Sequence, residues 1–261
     1  MLGHKDVIVA GGMESMSNIP YYIPNGRNGY RYGNGELLDG IVRDALQDPY
    51  KEYMMGNAAE VCASKYSISR EAQDEYATES YRRANQAYAE GAFANELVAV
   101  PVPQRKGDPV MIDKDEEYSK DISKLSSLRP AFIKDGTVTA ANASKINDGA
   151  AAVILMSAEK AKALGLPVLA TIAAYANAGV DPAIMGIGPV SATRRCLDKA
   201  GWNLAELDLI AGDEAVGEKE EQPSGDPEDR IAQLILSYRF GGNSIGQHII
   251  HTAVILIKLP R

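Results

Sequence analysis

Cysteine is scarce in this sequence, which has only Cys62 and Cys196 among its 261 residues. Two thiols cannot form the disulfide framework of a small secreted protein, so the sequence favours a reducing compartment. Basic residues are also few, with 27 lysines and arginines against 35 acidic residues and a net charge of −8. Without a dense basic cluster to neutralise a phosphate backbone, we expect no nucleic-acid binding. Long apolar runs are missing too, so we expect no membrane span.

The remaining pattern is that of an α/β protein, and its 45% hydrophobic content can build one large core or two ordinary ones. Residues 6–10 predict a buried strand that ends at Gly11 and Gly12. Ser69 and Ser157 have the chemistry of helix N-caps, and Gly91 that of a helix end. Strand and helix patterns alternate over residues 150–211, which predicts βαβ units on a parallel sheet.

The segment after Gly217 differs in character from the rest of the chain. It is mostly acidic and contains Pro223, Gly225 and Pro227, a composition typical of a linker or a disordered stretch. A short apolar segment follows at residues 231–238. We therefore treat residues 217–261 as a divergent tail.

The most informative motif is TVTAANAS at residues 137–144, followed by NDG at 147–149. Its residues are almost all small, so another molecule can approach the backbone closely, and an apolar strand pattern begins directly afterwards. Together with VIVAGGMESMS at residues 7–17, the pair Met55-Gly56 and the helix start at residues 67–74, this motif resembles the thiolase family, especially the acetyl-CoA acetyltransferases. The resemblance runs from about residue 3 to residue 214.

The resemblance implies an αβαβα layered fold, in which two similar halves pack face to face and a loop domain is inserted in the first. Residues 1–17 would be a remnant of the N-terminal half, 18–144 the loop domain that covers the substrate, and 145–165 the return to that half. Residues 166–216 would begin the C-terminal half. We therefore expect an incomplete fold, truncated at its N-terminus and altered at its C-terminus. The family also implies a homodimer or tetramer that is cytoplasmic or mitochondrial.

The implied reaction is the reversible condensation of two acetyl-CoA molecules to acetoacetyl-CoA and coenzyme A. It requires a thiolate that carries the acyl group, a second cysteine that removes a proton, and donors for the oxyanions. The family's Cys-Ala-Ser-Gly nucleophile turn has no counterpart here, because Cys62-Ala63-Ser64 is followed by Lys65 and lies downstream of residues 7–17. Cys196 falls within a predicted helix. We therefore expect structural thiols and a chain that is inactive alone, with a non-catalytic coenzyme A-binding remnant or a partial gene product as the alternative.

Two further catalytic turns are altered. Asp213 stands where the family has an asparagine, and a carboxylate there would repel a developing oxyanion. His248 is the counterpart of the family's Gly-His-Pro histidine, at a matching distance from Gly241-Gly242. His248 and His251 could also present two metal ligands on one helical face, although an incidental pair is favoured because no third ligand is evident.

The positions at which the family binds coenzyme A are better preserved. By resemblance, Ser144 bonds the pantetheine arm, and Lys120 and Lys124 contact the nucleotide end, with a solvated surface as the alternative for both lysines. Met55 would lie over the acyl pocket, where Met54 replaces the usual histidine. The residues implied to contact coenzyme A are Met55, Tyr81, Lys120, Lys124 and Ser144. Coenzyme A enters as a substrate, and no covalently bound cofactor is implied.

A potassium ion is also implied by the resemblance. Some relatives bind potassium with a tyrosine hydroxyl and backbone carbonyls, and the matching positions are Tyr81, Ala140, Ala141 and Ala143. An all-oxygen ligand set suits a hard, weakly polarising cation. The alternative is that Tyr81 is simply a packed helix residue.

Overall fold

The computed structural model describes residues 4–207 and the backbone of three later strands, Leu209–Ala211, Ile231–Ser237 and Ile250–Lys258. The helices in these residues are α1 (Met55–Tyr66), α2 (Arg70–Ala89), α3 (Ala158–Ala163) and α4 (Gly188–Ala200). The strands are β1 (Val7–Ser15), β2 (Tyr21–Tyr22), β3 (Leu38–Asp39), β4 (Val100–Val102), β5 (Val110–Ile112), β6 (Asp148–Met156), β7 (Thr171–Val180), β8 (Leu209–Ala211), β9 (Ile231–Ser237) and β10 (Ile250–Lys258). Within the described part of the chain, the helices are too short or too polar to span a bilayer.

The largest sheet has the strand order β7-β10-β9-β8. β10 pairs antiparallel with β7 and with β9, whereas β8 pairs parallel with β9. β6 lies outside this sheet and pairs antiparallel with β1. The prediction of a parallel sheet over residues 150–211 is therefore wrong for the described strands, because β6, β7 and β8 each pair with strands from elsewhere in the chain.

A core forms where β7 packs against α4. Side chains alternate along a strand, so Ala174, Ala176 and Ala178 share one buried face of β7. They contact Ala192 and Cys196, which lie one turn apart on α4. Alanines allow the helix to approach the sheet closely, and Cys196 is completely buried between them.

The paired strands β1 and β6 differ in two respects from the prediction that residues 6–10 form a buried strand ending at Gly11 and Gly12. The predicted burial is wrong, because Val9 is 72% exposed and its ladder partner Ile154 is 64% exposed. β1 also continues past Gly11 to Ser15. A Cβ at Gly11 would lie 2.4 Å from the Ala151 carbonyl oxygen, so this glycine permits close strand pairing and does not end the strand.

Helix boundaries follow the local sequence closely. The Ser69 hydroxyl accepts a hydrogen bond from the Ala72 backbone N–H at 3.1 Å and caps α2. The Ser157 hydroxyl caps α3 in the same way, through the Lys160 N–H at 3.2 Å. Gly91 follows α2 with φ of 70°, a conformation that favours glycine. These predicted caps are confirmed.

The tail is only partly described. The acidic stretch after Gly217 lies outside the described residues. The apolar segment predicted at residues 231–238 coincides with β9. The proposed division of the chain at residues 17, 144, 165 and 216 stays a prediction.

Candidate functional site

The loop at residues 137–144 is anchored by a buried carboxylate on α1. Glu60 is only 6% exposed, and both of its carboxylate oxygens accept from the Thr137 backbone N–H at 2.9 Å. It also accepts from the Thr137 hydroxyl at 2.9 Å and from the Val138 N–H at 2.8 Å. A buried carboxylate needs such donors, since burial without them carries a large desolvation cost. The beginning of the loop is therefore fixed to α1.

A second carboxylate fixes the middle of the loop to α2. Asp74 accepts from Arg70 Nε at 2.7 Å and from Asn142 Nδ2 at 2.9 Å. Asn142 also donates to the Thr137 carbonyl at 3.1 Å and accepts from the Thr139 N–H at 2.7 Å. The amide side chain of Asn142 thus closes the loop upon itself, and Thr139 is fully buried beneath it.

The segment that leads into this loop packs so closely against α1 that two positions require glycine. A Cβ at Gly136 would lie 2.3 Å from Glu60 Oε1, so the chain needs a glycine where it meets the carboxylate. At the start of α1, a Cβ at Gly56 would lie 2.3 Å from the Phe132 ring. Met55 is half-buried in the first turn of this helix. The structure thus brings the Met55 turn and the segment that leads into the loop together.

The end of the loop is open to solvent. Ser144 is exposed, directly after Ala143, whose N–H donates to the Thr139 carbonyl at 3.1 Å. A ligand can therefore approach Ser144, while the turn before it is held by backbone hydrogen bonds.

The two lysines predicted at the nucleotide end lie on an exposed segment next to α2. Lys120 pairs with Glu117, and this hydrogen bond raises the pKa of Lys120 above its ordinary value. Lys124 precedes a short 3-10 turn whose first residue, Leu125, accepts from Arg70 at 3.1 Å. Arg70 therefore links the lysine segment to the same carboxylate, Asp74, that holds the loop.

The predicted potassium ligands are partly engaged by another group. The Lys145 ammonium donates to the Ala140 carbonyl oxygen and lies 5.9 Å from the centre of the Tyr81 ring. The Ala141 N–H donates to the Thr139 hydroxyl at 3.3 Å. One carbonyl of the implied potassium set therefore already accepts from a cationic side chain.

Both thiols are buried. Burial raises the pKa of the Cys62 thiol, and hydrogen bonds from the Gly186 and Ile187 backbone oppose that rise. Cys196 lies in the core between β7 and α4. Neither position resembles the exposed, electropositive setting that activates a nucleophilic thiolate.

The predicted catalytic residues Asp213 and His248 lie outside the described residues. His251 lies in β10, whereas its predicted metal-binding partner His248 lies outside the described residues, so this pair stays a prediction. Among the described residues, no cluster of three or more histidine, cysteine or acidic side chains could hold a metal ion.

Sequence reasoning missed Glu60, Asp74 and Lys145. Glu60 carried a usable signal, since it falls among the small residues Ala58 and Cys62 on the buried side of α1. A carboxylate in such a position needs hydrogen-bond donors from another segment. Which segment supplies them depends on tertiary contacts that the sequence pattern does not contain.

Comparison with known proteins gives a consistent result. Residues 1–159 match the family model described as thiolase, N-terminal domain, and residues 166–220 match thiolase, C-terminal domain. A Pseudomonas aeruginosa protein named acetyl-CoA acetyltransferase is 57% identical over 215 residues, which are 82% of this chain and 55% of that protein. An Escherichia coli protein named probable acetyl-CoA acetyltransferase is 49% identical over 215 residues, 82% of this chain and 54% of that protein. This chain thus spans about half the length of these curated relatives.

Solved structures show the same fold. The Bacillus anthracis acetyl-CoA acetyltransferase superposes with a TM-score of 0.83 at 35% identity, over 99% of this chain and 73% of that one. The Ascaris suum Acat5 thiolase, solved in complex with coenzyme A, superposes with a TM-score of 0.81 at 33% identity. The superposition covers 99% of this chain and 73% of that chain. The predicted thiolase-like layered fold is confirmed, and the chain belongs to the thiolase family.

Proposed function

We propose that this chain forms the coenzyme A-binding part of a thiolase-family acyltransferase, whose reaction is the reversible condensation of two acetyl-CoA molecules. Relatives named acetyl-CoA acetyltransferase, at up to 57% identity, support the reaction class. Within that function, these 261 residues bind the acyl-CoA without carrying the acyl group themselves. The family's homodimer or tetramer belongs to the same proposal.

One observation carries this proposal: the loop at residues 137–144 is rigidly held and still accessible. Glu60 and Asp74 hold its start and its middle, and Ser144 is exposed at its end. A hydroxyl on a loop that is already ordered can bind the amide groups of pantetheine without a further ordering cost. Lys120 and Lys124 are exposed on the adjoining segment, where their charges attract the phosphates of the nucleotide end.

The state of the thiols favours binding without acyl transfer. A nucleophilic cysteine must reach the acyl carbonyl as a thiolate. Both cysteines of the sequence are buried, and burial raises the pKa of Cys62. Asp213, in place of the family's asparagine, would further disfavour negative charge on the carbonyl oxygen.

Calorimetric titration of coenzyme A into the full chain tests the binding role. Ser144→Ala removes a hydroxyl that bonds the ligand, and such a bond contributes about 0.5–1.5 kcal/mol, so we expect about 2–10-fold weaker affinity. The matched control is Ser64→Ala, an exposed serine near the end of α1. It should bind like the unmodified chain. Equal affinities of Ser144→Ala and the control would contradict the assignment of Ser144.

A turnover assay separates the binding role from a complete enzyme. Acetoacetyl-CoA and coenzyme A are incubated with the chain, and the loss of acetoacetyl-CoA absorbance is followed. We expect binding without turnover. Sustained production of acetyl-CoA by the purified chain would overturn the non-catalytic part of the proposal and leave the family function standing.

A further inference from the structure

The loop at residues 137–144 already holds a cation that belongs to the chain. The Lys145 side chain folds back so that its ammonium donates to the Ala140 carbonyl oxygen. The same ammonium lies 5.9 Å from the centre of the Tyr81 ring on α2. These two contacts involve two of the four residues expected to surround a potassium ion.

The contacts are those that a cation prefers. A hydrogen bond from a charged donor is stronger than one between neutral groups, and an ammonium near an aromatic ring gains a further electrostatic attraction. Lys145 directly follows the loop and is half-buried, so its ammonium can reach the Ala140 carbonyl from a neighbouring position in the chain. A free ion would have to displace it from the carbonyl and would be repelled by its charge.

The hydrogen bonds of the rest of the loop leave the Ala140 carbonyl oxygen to the Lys145 ammonium. Glu60 and Asp74 engage the loop through its donors, namely the Thr137 and Val138 N–H groups and the Asn142 side chain. The Ala140 carbonyl points to Lys145 instead. Carboxylates thus hold the donor groups of the loop, and a cation holds one of its acceptors.

We propose that the Lys145 ammonium is the resident cation of the 137–144 loop, in the place where an alkali-metal ion would otherwise bind, so that this chain needs no potassium there. The proposal is independent of acyl transfer. Its tests measure ion binding and thermal stability and therefore succeed or fail separately from the proposed function.

Thallium(I) is a potassium substitute that can be followed by thallium NMR. Titrated into the full, unmodified chain, it should show no bound state. Lys145→Met keeps the length and apolar stem of the side chain but removes the charge, and this variant should bind thallium(I). The matched control is Lys134→Met, an exposed lysine before the loop, which should behave like the unmodified chain.

Melting temperatures in potassium chloride and in N-methylglucamine chloride, at equal ionic strength, give a second readout. The unmodified chain should melt at the same temperature in both salts. Lys145→Met should melt about 2–4 °C lower in N-methylglucamine chloride and recover in potassium chloride. Lys134→Met should show no difference between the salts.

The proposal is overturned if the unmodified chain binds thallium(I) or is stabilised specifically by potassium. It is also overturned if folded Lys145→Met neither binds thallium(I) nor responds to potassium. If that variant does not fold in either salt, the thallium result on the unmodified chain decides alone, and an absence of binding supports the proposal.

Discussion

At the scale of the residue, Glu60 determines the geometry of the candidate site. It is a carboxylate with three different donor groups, and all of them belong to Thr137 or Val138. Gly136 must be a glycine because a side chain there would meet the same carboxylate. The loop that would receive pantetheine thus depends on one acidic side chain from a helix more than seventy positions earlier in the sequence.

Replacing Glu60 with glutamine should destabilise the protein and weaken coenzyme A binding together. The glutamine NH₂ group would face backbone donors, leaving at least one buried donor unpaired, which costs about 1–3 kcal/mol. Urea unfolding measures this loss as a lower midpoint at an unchanged slope. Glu75→Gln, on the exposed side of α2, is the control and should leave both quantities unchanged. A Glu60→Gln variant as stable as the control would contradict the anchoring role.

At the scale of the element, α2 combines local and long-range interactions. Its first turn is capped by Ser69, its buried face presents Asp74 to the loop, and its exposed face carries Glu79 between two arginines. Arg82 Nε lies 2.6 Å and Arg83 Nε 2.7 Å from the Glu79 carboxylate. The helix that positions Tyr81 is therefore reinforced on its outer surface by an ion-pair cluster.

Acid should weaken this cluster in a defined range of pH. Hydrogen bonds from Arg82 and Arg83 lower the pKa of Glu79 from 4.5 to about 2. A carboxyl whose pKa is lower in the folded state stabilises that state above pH 4.5, and the contribution is lost as the pH falls towards 2. Because the group is exposed, we expect a small effect that salt screens.

Carboxyl-carbon NMR measures the titration of Glu79 directly, with an expected midpoint near pH 2. The double variant Arg82→Gln/Arg83→Gln removes both donors and should return the midpoint towards 4.5. An unmodified chain that already titrates near 4.5 would contradict the ion-pair account of this face.

The elements differ in how far the sequence could predict them. The caps Ser69 and Ser157 and the glycine after α2 depend on neighbouring residues, so the local pattern located them correctly. β6 was recognised as a strand, but its partner β1 lies far away in the sequence, and this pairing overrode the expected βαβ arrangement. Lys145 was missed for the same reason, since its contact with Tyr81 crosses between distant segments.

At the scale of the whole molecule, the motif at residues 137–144 was a better guide than periodicity. It identified the family correctly, and with it the layered fold, whereas the apolar pattern at residues 6–10 wrongly predicted a buried strand. Such runs are typical of strands that are covered on both faces, yet here Val9 and Ile154 are largely exposed. The roles of Asp213 and His248 stay predictions from the resemblance.

For the chain as a whole, we propose non-covalent binding of an acyl-CoA without transfer of the acyl group to the protein. Native mass spectrometry after incubation with acetyl-CoA tests both halves at once. We expect a complex with acetyl-CoA that dissociates completely on denaturation and leaves a polypeptide of unmodified mass. An acetyl adduct on Cys62 or Cys196 that survives denaturation, or the absence of any complex, would contradict the claim.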